Sequence, residues 1–375
     1  MEKWRRCHGH WPAAILLVSA VLLCPSDFTF SGTTPRRACK IQRAATPPFF
    51  DTSGRLQRGL APPEDGTNIY VPVHKGLSMV RQMDSGGFEP VLLSQEQAET
   101  YLSQDGAISA WLGAADEGAL ATRASLSPGA SGGFWLLDLS HLSDPPGNSE
   151  LGVPADSQWV PLRDRAGPSV CDALVDDDCA ALLATARGLS LWHRSVQFCS
   201  QCGGKTESIR AGRNRKCKDC GARFRPRLDP SVIVLVVKGK KCLLGRNSRW
   251  PKGRYSTLAG FVEFGETFEE CLVREVFEES GVKVARESIR SVASQPWLFP
   301  RSLMAGYIAE AEHESLNVDH DELEDAAWFD AEQVRASLSV ADGDAANGTF
   351  HVPSRVSLAR RIIETWLDEV DSDSR

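Results

Sequence analysis

The sequence predicts an α+β protein of more than one globular unit, on three observations. Short apolar, β-branched runs alternate with segments whose apolar residues recur at helical spacing. Two Cys-x-x-Cys pairs stand in mid-chain with 14 residues between them. An acidic helix with its own start and stop signals lies further on. The 375 residues exceed one domain of roughly 150, which argues for two such units plus smaller parts. At 42% hydrophobic and 24% charged, the chain can bury ordinary cores and is not collagen-like, coiled-coil or wholly disordered. A net charge of −7, from 42 basic against 49 acidic residues, argues against coating nucleic acid with the whole surface and leaves local basic patches open.

The first element is a leader. Residues 1–24 carry Lys3, Arg5 and Arg6 before an apolar run from Trp11 to Cys24, shorter than the roughly 20 residues of a membrane span, and read as signal-like. Between Phe28 and Phe50 there is no acid, and Arg36, Arg37, Lys40 and Arg43 lie among Ser, Thr, Ala and Pro, so 25–55 reads as transit-like. Together they resemble a bipartite plastid-targeting leader over 1–55; a plain signal peptide, a signal anchor and a mitochondrial presequence are the alternatives. Thiolate metal ligands need reducing surroundings, which speaks against an oxidising lumen as the final address. No later stretch is long and apolar enough to span a bilayer, so no stable membrane association is expected once the leader is removed.

Residues 60–195 mix apolar runs, such as Glu89 to Leu93 and Phe134 to Leu139, with Gly, Ser and Pro loops at Ser127 to Gly133 and Asp144 to Asn148. That pattern predicts an N-terminal α+β domain. Its clearest helix is Asp178 to His193, with Leu182, Leu183, Ala186, Leu189 and Trp192 at helical spacing, entered through a solvated run of aspartates at 176–178.

Next, over 196–228, come Cys199-x2-Cys202 and Cys217-x2-Cys220. Two tight knuckles of this spacing bring four thiolates to a tetrahedron, the geometry of zinc. Gly203 and Gly221 follow the second cysteine of each pair, where the chain must turn sharply without a Cβ. Four sulfur ligands leave no open position for water, so one structural Zn2+ per chain is expected. A redox Cys-x-x-Cys would not need the second pair. Between Lys205 and Arg227 lie nine Lys or Arg against Glu207 and Asp219, a local excess that either steers a polyanion such as RNA or is simply solvated.

The last domain, 229–370, opens with a buried hairpin: Ser231 to Val237, a turn in 238–241, then Cys242 to Gly245. Ser302 to Ala311 is a further strand, and Arg355 to Val370 a closing helix with Val356, Ala359, Ile362, Ile363, Trp366 and Leu367 on one side. Between them Thr267 and Glu270 form a capping box and Gly281 supplies a left-handed stop. On the helix so delimited Glu275, Glu278 and Glu279 fall at i, i+3 and i+4, within an arc of about 100°. Like charges so placed cost a few tenths of a kcal/mol per pair, so bound cations explain them better than helix stability does. Oxygen-only ligands favour Mg2+ or Mn2+, ions that also bind substrate phosphates. A solvated surface helix is the plain alternative.

Gly260-x5-Glu266-x7-Arg274-Glu275-Val276-x-Glu278-Glu279-x-Gly281-Val282 resembles the Nudix box at all nine specified positions. Twelve residues on, Ser294-Gln295-Pro296-Trp297-Leu298-Phe299-Pro300-Arg301-Ser302 resembles the SQPWPFPxS signature of the NADH pyrophosphatase branch, with only Leu298 departing from it. The cysteine cluster and Pro226-Arg227-x-Asp229-Pro230 stand in that family's order. The resemblance implies a Nudix α/β/α sandwich behind a zinc ribbon, and hydrolysis of NADH and NAD+ at the pyrophosphate to nicotinamide mononucleotide and AMP. It implies catalytic residues Glu275, Glu278 and Glu279, with Glu279 as base for water and Glu278 supporting the cluster. It further implies Mg2+ or Mn2+ on Glu275, Glu279, Glu322 and the Ala259 carbonyl, and a supporting Glu266–Arg274 ion pair. Substrate would meet Phe261, Gln295, Pro296, Trp297, Leu298, Phe299, Pro300, Arg301, Ser302, Glu322 and Ala359. Relatives are homodimers, which extends that expectation to this chain. Two aromatics on a proline-stiffened loop suit a nucleobase in any case. Arg225 stands where relatives often carry an aromatic, which puts stacking there in doubt. The rival functions are removal of NAD caps from RNA, cleavage of other diphosphates such as ADP-ribose, and a non-catalytic nucleotide- or RNA-binding module.

Overall fold

A computed structural model describes residues 62, 67–84, 86–115, 124, 132–163, 170–174, 176–340 and 348–373. The leader expected over 1–55 lies outside the described residues.

The N-terminal part runs β1 (Thr67–His74), β2 (Leu77–Gln82), β3 (Phe88–Pro90), β4 (Leu93–Ser94), α1 (Gln95–Leu102), β5 (Ile108–Ala115), β6 (Gly132–Asp138), α2 (Asn148–Leu151), β7 (Ser157–Pro161) and α3 (Asp177–Ser195). Its sheet has the order β3-β2-β1-β6-β5, with β4 on β1 and β7 on β2, and β1 runs parallel to β6. Alternation along β1 sorts its two faces. Ile69, Val71 and Val73 bury against Leu182, Leu183 and Ala186 of α3, while Tyr70 buries with Ala98 and Tyr101 of α1. Two of the sequence expectations need correcting here. Gly132 and Gly133, expected in a loop, begin β6 by pairing with β1 and β5, and a Cβ at Gly133 would lie 2.9 Å from the Trp111 ring. Asp176 caps α3 by accepting from the Cys179 amide at 2.8 Å, but Asp178 is buried, not solvated. It lies one turn before Leu182, on the face that α3 turns to the core.

The cysteine region forms a small antiparallel sheet, β10-β9-β8, from β8 (Thr206–Ile209), β9 (Asn214–Cys217) and β10 (Arg223–Phe224). It docks on the N-terminal part through its first turn. The Trp111 amide donates to the Ala211 carbonyl at 2.8 Å. Gly212, at φ +79°, sits so close to β5 that a Cβ would meet Ala110 at 2.3 Å. Of the nine basic residues, Arg215 is buried and bonds Thr206, so it is no part of a surface patch.

The C-terminal part is the expected α/β/α sandwich. Its sheet has the order β14-β15-β11-β12-β16, with β13 also on β11, built from β11 (Asp229–Lys238), β12 (Lys241–Arg246), β13 (Leu258–Phe261), β14 (Arg290–Trp297), β15 (Ser302–Glu310) and β16 (Asp325–Asp330). The hairpin pairs antiparallel as expected, Val236 opposite Leu243, while β15 joins β11 in parallel. An unbroken apolar run is what a strand covered on both faces requires. Val232, Val234 and Val236 meet Cys271, Leu272 and Val276 of α4 (Phe268–Ser280). Ile233, Leu235 and Val237 meet Val334 of α5 (Ala331–Ser337) and Ile362, Ile363 and Trp366 of α6 (Leu358–Asp373). Each such side chain, fully buried, contributes roughly 1.5–3 kcal/mol. The closing helix starts at Leu358, not Arg355, where the Gln295 side chain accepts from the Leu358 amide at 2.8 Å. Among the described residues no helix is long and apolar enough to cross a membrane.

Candidate active site and metal clusters

The acidic helix is held at both ends by the residues that the sequence singles out. Thr267 accepts from the Glu270 amide, the Glu270 side chain returns to the Thr267 amide, and Gly281 ends the helix at φ +71°. The strand before it, β13, passes directly over the helix. A Cβ on Gly260 would fall 1.8 Å from the Glu275 carboxyl carbon, so only a glycine leaves that carboxylate its place.

Glu275 and Glu279 project from α4 toward Glu322, which lies in the loop before β16. One carboxylate oxygen from each lies within 4.8 Å of the others. Glu279 is the most buried, and its Oε2 has no hydrogen-bond partner. Burial first, then the charges of Glu275, Glu322 and Glu278, push the Glu279 carboxyl up to about 8. Burial also raises Glu275, against the pull of Arg274. Crowded carboxylates with an orphaned buried oxygen are unfavourable by themselves, and an all-oxygen donor set of this kind fits Mg2+ or Mn2+. A divalent cation at its centre reverses the field that raises those acids.

Glu278 does not join the group. It is exposed and accepts from Arg274 Nη1 at 2.9 Å. The same guanidinium grips Glu266 with two bonds, at 2.6 and 2.9 Å, meets Glu275 at 2.9 Å and donates to the Phe261 carbonyl at 3.0 Å. Arg274 pulls Glu266 down to about 2. The Glu266–Arg274 pair thus locks helix to strand, and Arg274 balances the edge of the acidic cluster. Phe261 itself is 58% exposed beside it, on the same strand as Ala259 and Gly260.

The Ser294 to Ser302 segment is the end of β14, its turn, and the start of β15. Gln295 is buried, and its amide donates to the Val356 carbonyl and accepts from Leu358, so its side chain is spent on anchoring the loop to α6, where Ala359 is buried. Trp297 and Phe299 meet edge to face at 5.4 Å, both half-buried, with Pro296 and Leu298 beside them and Pro300 exposed. Arg301 donates to Asp229 at 2.8 Å, Arg227 does the same from the other side, and the two cations pull the Asp229 carboxyl down. Ser302 is buried opposite Asp229 in the ladder. Sequence reasoning missed two further residues here. Arg163 lies 4.5 Å from the Trp297 ring centre and Arg187 5.1 Å from that of Phe299. Both come from the N-terminal part, more than a hundred residues away in the chain, and no local pattern signals them.

The four cysteines gather as their spacing predicts. Their sulfurs lie within 4.8 Å of one another, with Cys199 to Cys220 at 3.6 Å and Cys202 to Cys217 at 3.5 Å. Gly203 and Gly221 turn at φ +78° and +76°. None of the four is in a disulfide, and sulfurs so spaced fit a tetrahedral ion with bonds of about 2.3 Å.

Comparison with known proteins agrees with this architecture. Residues 227–348 match a NUDIX domain, and residues 194–224 match an NADH pyrophosphatase zinc ribbon domain. The chain thus contains a NUDIX domain preceded by an NADH pyrophosphatase zinc ribbon domain. The pairing of these two domains, ribbon first, is similar to that of the NudC-type relatives. It is 40% identical over 196 residues to NAD-capped RNA hydrolase NudC of Mycobacterium bovis (strain BCG / Pasteur 1173P2), covering 52% of this chain and 62% of that protein. It is 42% identical over 198 residues to NAD-capped RNA hydrolase NUDT12 of Homo sapiens, covering 50% of this chain and 42% of the human protein. The chain thus spans under two thirds of the length of either relative. A NUDIX hydrolase crystal structure from Nitrosomonas europaea matches with a TM-score of 0.34 and 20% identity, over 42% of this chain and 97% of its own.

Proposed function

We propose that this protein hydrolyses the pyrophosphate link of NADH and NAD+, giving reduced or oxidised nicotinamide mononucleotide and AMP. The observation that carries the reading is the convergence of Glu275, Glu279 and Glu322 on one point, with a buried oxygen of Glu279 left unpartnered there. Glu275, Glu279, Glu322 and the Ala259 carbonyl would hold Mg2+ or Mn2+, which supplies charge neutralisation to the diphosphate and acidifies water. Glu279 takes the proton of the attacking water. Its Oε2, buried at the cluster and without a hydrogen-bond partner, is the atom placed to receive that proton. Water oxygen bonds to phosphorus as the bridging P–O bond breaks, and the bridging oxygen leaves with the other mononucleotide. Arg274 keeps Glu275 and strand β13 in register with the helix. Phe261 offers an exposed flat face to a base, Trp297 and Phe299 form the aromatic loop that would line the rest of the dinucleotide's path, and Arg301 lies at the loop's far end. The four cysteines would hold a structural Zn2+ with no part in the chemistry.

The names of the relatives favour a second reading at the same bond: removal of an NAD cap from RNA. Lys205, Arg210, Lys216, Lys218, Arg223, Arg225 and Arg227 would then meet the RNA backbone. The test is turnover of free NADH and of NAD-capped RNA across a salt series under Mg2+ or Mn2+. Free dinucleotide turnover with a shallow salt slope supports the first reading. Preference for capped RNA with a steep slope supports the second. Absence of AMP and nicotinamide mononucleotide from both removes the two together. We also propose a homodimer, tested by light scattering of the full chain.

A further inference from the structure

The loop carrying Trp297 and Phe299 is gripped from the N-terminal part, and the grip is specific. Arg187, midway along α3, donates from Nη1 to the Leu298 carbonyl at 3.0 Å and from Nε to the Gly76 carbonyl at 3.2 Å. Its guanidinium also lies over the Phe299 ring. One residue on, Gly188 lets the loop close against the helix, because a Cβ there would lie 3.2 Å from Leu298 Cβ. Arg163, just past β7, lies over Trp297, and Phe299 packs on the core that α3 shares with β1. A planar, always-charged fork that bonds two carbonyls and covers a ring fixes a loop in a way a lysine cannot.

We infer that Arg187 is a positioning residue for the substrate loop, so that the N-terminal part sets affinity for the dinucleotide without contributing to the carboxylate cluster. The inference rests on the reading of 295–302 as substrate-binding. A loop already held in its bound shape loses less entropy when the ligand arrives, so loosening it weakens binding more than it slows the bond-breaking step.

The test uses the full chain with NADH and Mg2+. Arg187→Ala is expected to raise KM by about tenfold with kcat within about twofold of the parent. Hydrogen exchange of the 294–302 segment should rise while α4 keeps its protection. Arg187→Lys should recover part of the affinity, since an ammonium still reaches one carbonyl. Should Arg187→Ala not fold, Gly188→Ala decides. Alanine favours the helix over glycine, so this variant should melt no lower than the parent and yet show a raised KM as Leu298 is displaced. An unchanged KM in whichever variants fold overturns the inference, as does a fall in kcat at constant KM. A parent chain that turns over neither NADH, NAD+ nor capped RNA removes the functional reading instead. The exchange measurement then still decides whether Arg187 holds the loop, and unchanged exchange in 294–302 rejects that too.

Discussion

The two like-charged clusters of this protein are built in opposite ways. The four cysteines come from two knuckles within 22 residues, each turned by a glycine at positive φ, and their sulfurs close on one another. The three carboxylates come from one helix face and a loop more than forty residues on, and stay open to solvent on the Glu322 side. One cluster would close on its ion and leave it nothing to do but hold the fold. The other keeps a side open to solvent, where the proposed diphosphate would enter, and needs Arg274, Glu266 and Gly260 to hold its parts in place. Closure makes a metal structural, and an open side makes it available for chemistry.

The comparison is broken most severely at the closed cluster. Cys217→Ser should drop bound zinc from about one per chain to near zero, and with it about 10 kcal/mol of apparent folding energy in the ribbon. Metal analysis of the purified chain with a thermal melt reads both. At the open cluster, Glu279→Gln should do the reverse to stability. It removes a buried carboxylate repelled by Glu275 and Glu322, so the protein stripped of divalent ions should melt no lower than the parent while turnover falls by about 10²–10⁴-fold. A variant that loses folding and activity together would make Glu279 a structural residue.

A third effect belongs to the closed side alone. His193 of α3 is fully buried, with Nε2 donating to the Gly212 carbonyl at 2.8 Å and Nδ1 accepting from Arg215 Nη1 at 3.1 Å, which joins the ribbon to the N-terminal part. Burial, helped by Arg215, pulls it down to about 4. A lowered folded value means that the unfolded chain takes up the proton first. The stability of the neutral histidine is therefore present above about 6.5 and lost as pH falls toward 4, up to about 3 kcal/mol. Urea unfolding between pH 7 and pH 4 should show this slope, and His193→Gln should flatten it. The smallest effect sharpens the open side. Gly260→Ala pushes the Glu275 carboxylate from its place and should lower kcat by about 10²-fold with thermal stability little changed.

Legibility in the sequence follows the same divide. The cysteine ligands, the capping box, the β11–β12 hairpin and the sandwich helices are written in local spacing, where covalent distance and periodicity do the specifying. The carboxylates were legible only as a helix face. Spacing alone puts Glu278 with Glu275 and Glu279, yet Arg274 draws it out to solvent, and Glu322 enters from a distant loop. The buried Asp178 was expected in a solvated run and Arg215 in a basic excess that either steers a polyanion or is solvated, because the residue type, without its neighbours, favours the surface. Gln295 was read as a substrate contact, and its side chain turns out to cap α6. The grip of Arg163 and Arg187 on the aromatic loop is tertiary throughout and has no sequence signature.

The most direct measurement is chromatography of the products formed from NADH by the full chain and by its Glu279→Gln variant, with and without Mg2+ or Mn2+. The account predicts AMP and reduced nicotinamide mononucleotide from the parent only when the ion is added, and at most a trace from the variant. Equal release by the two proteins, or release that is indifferent to the ion, would contradict it.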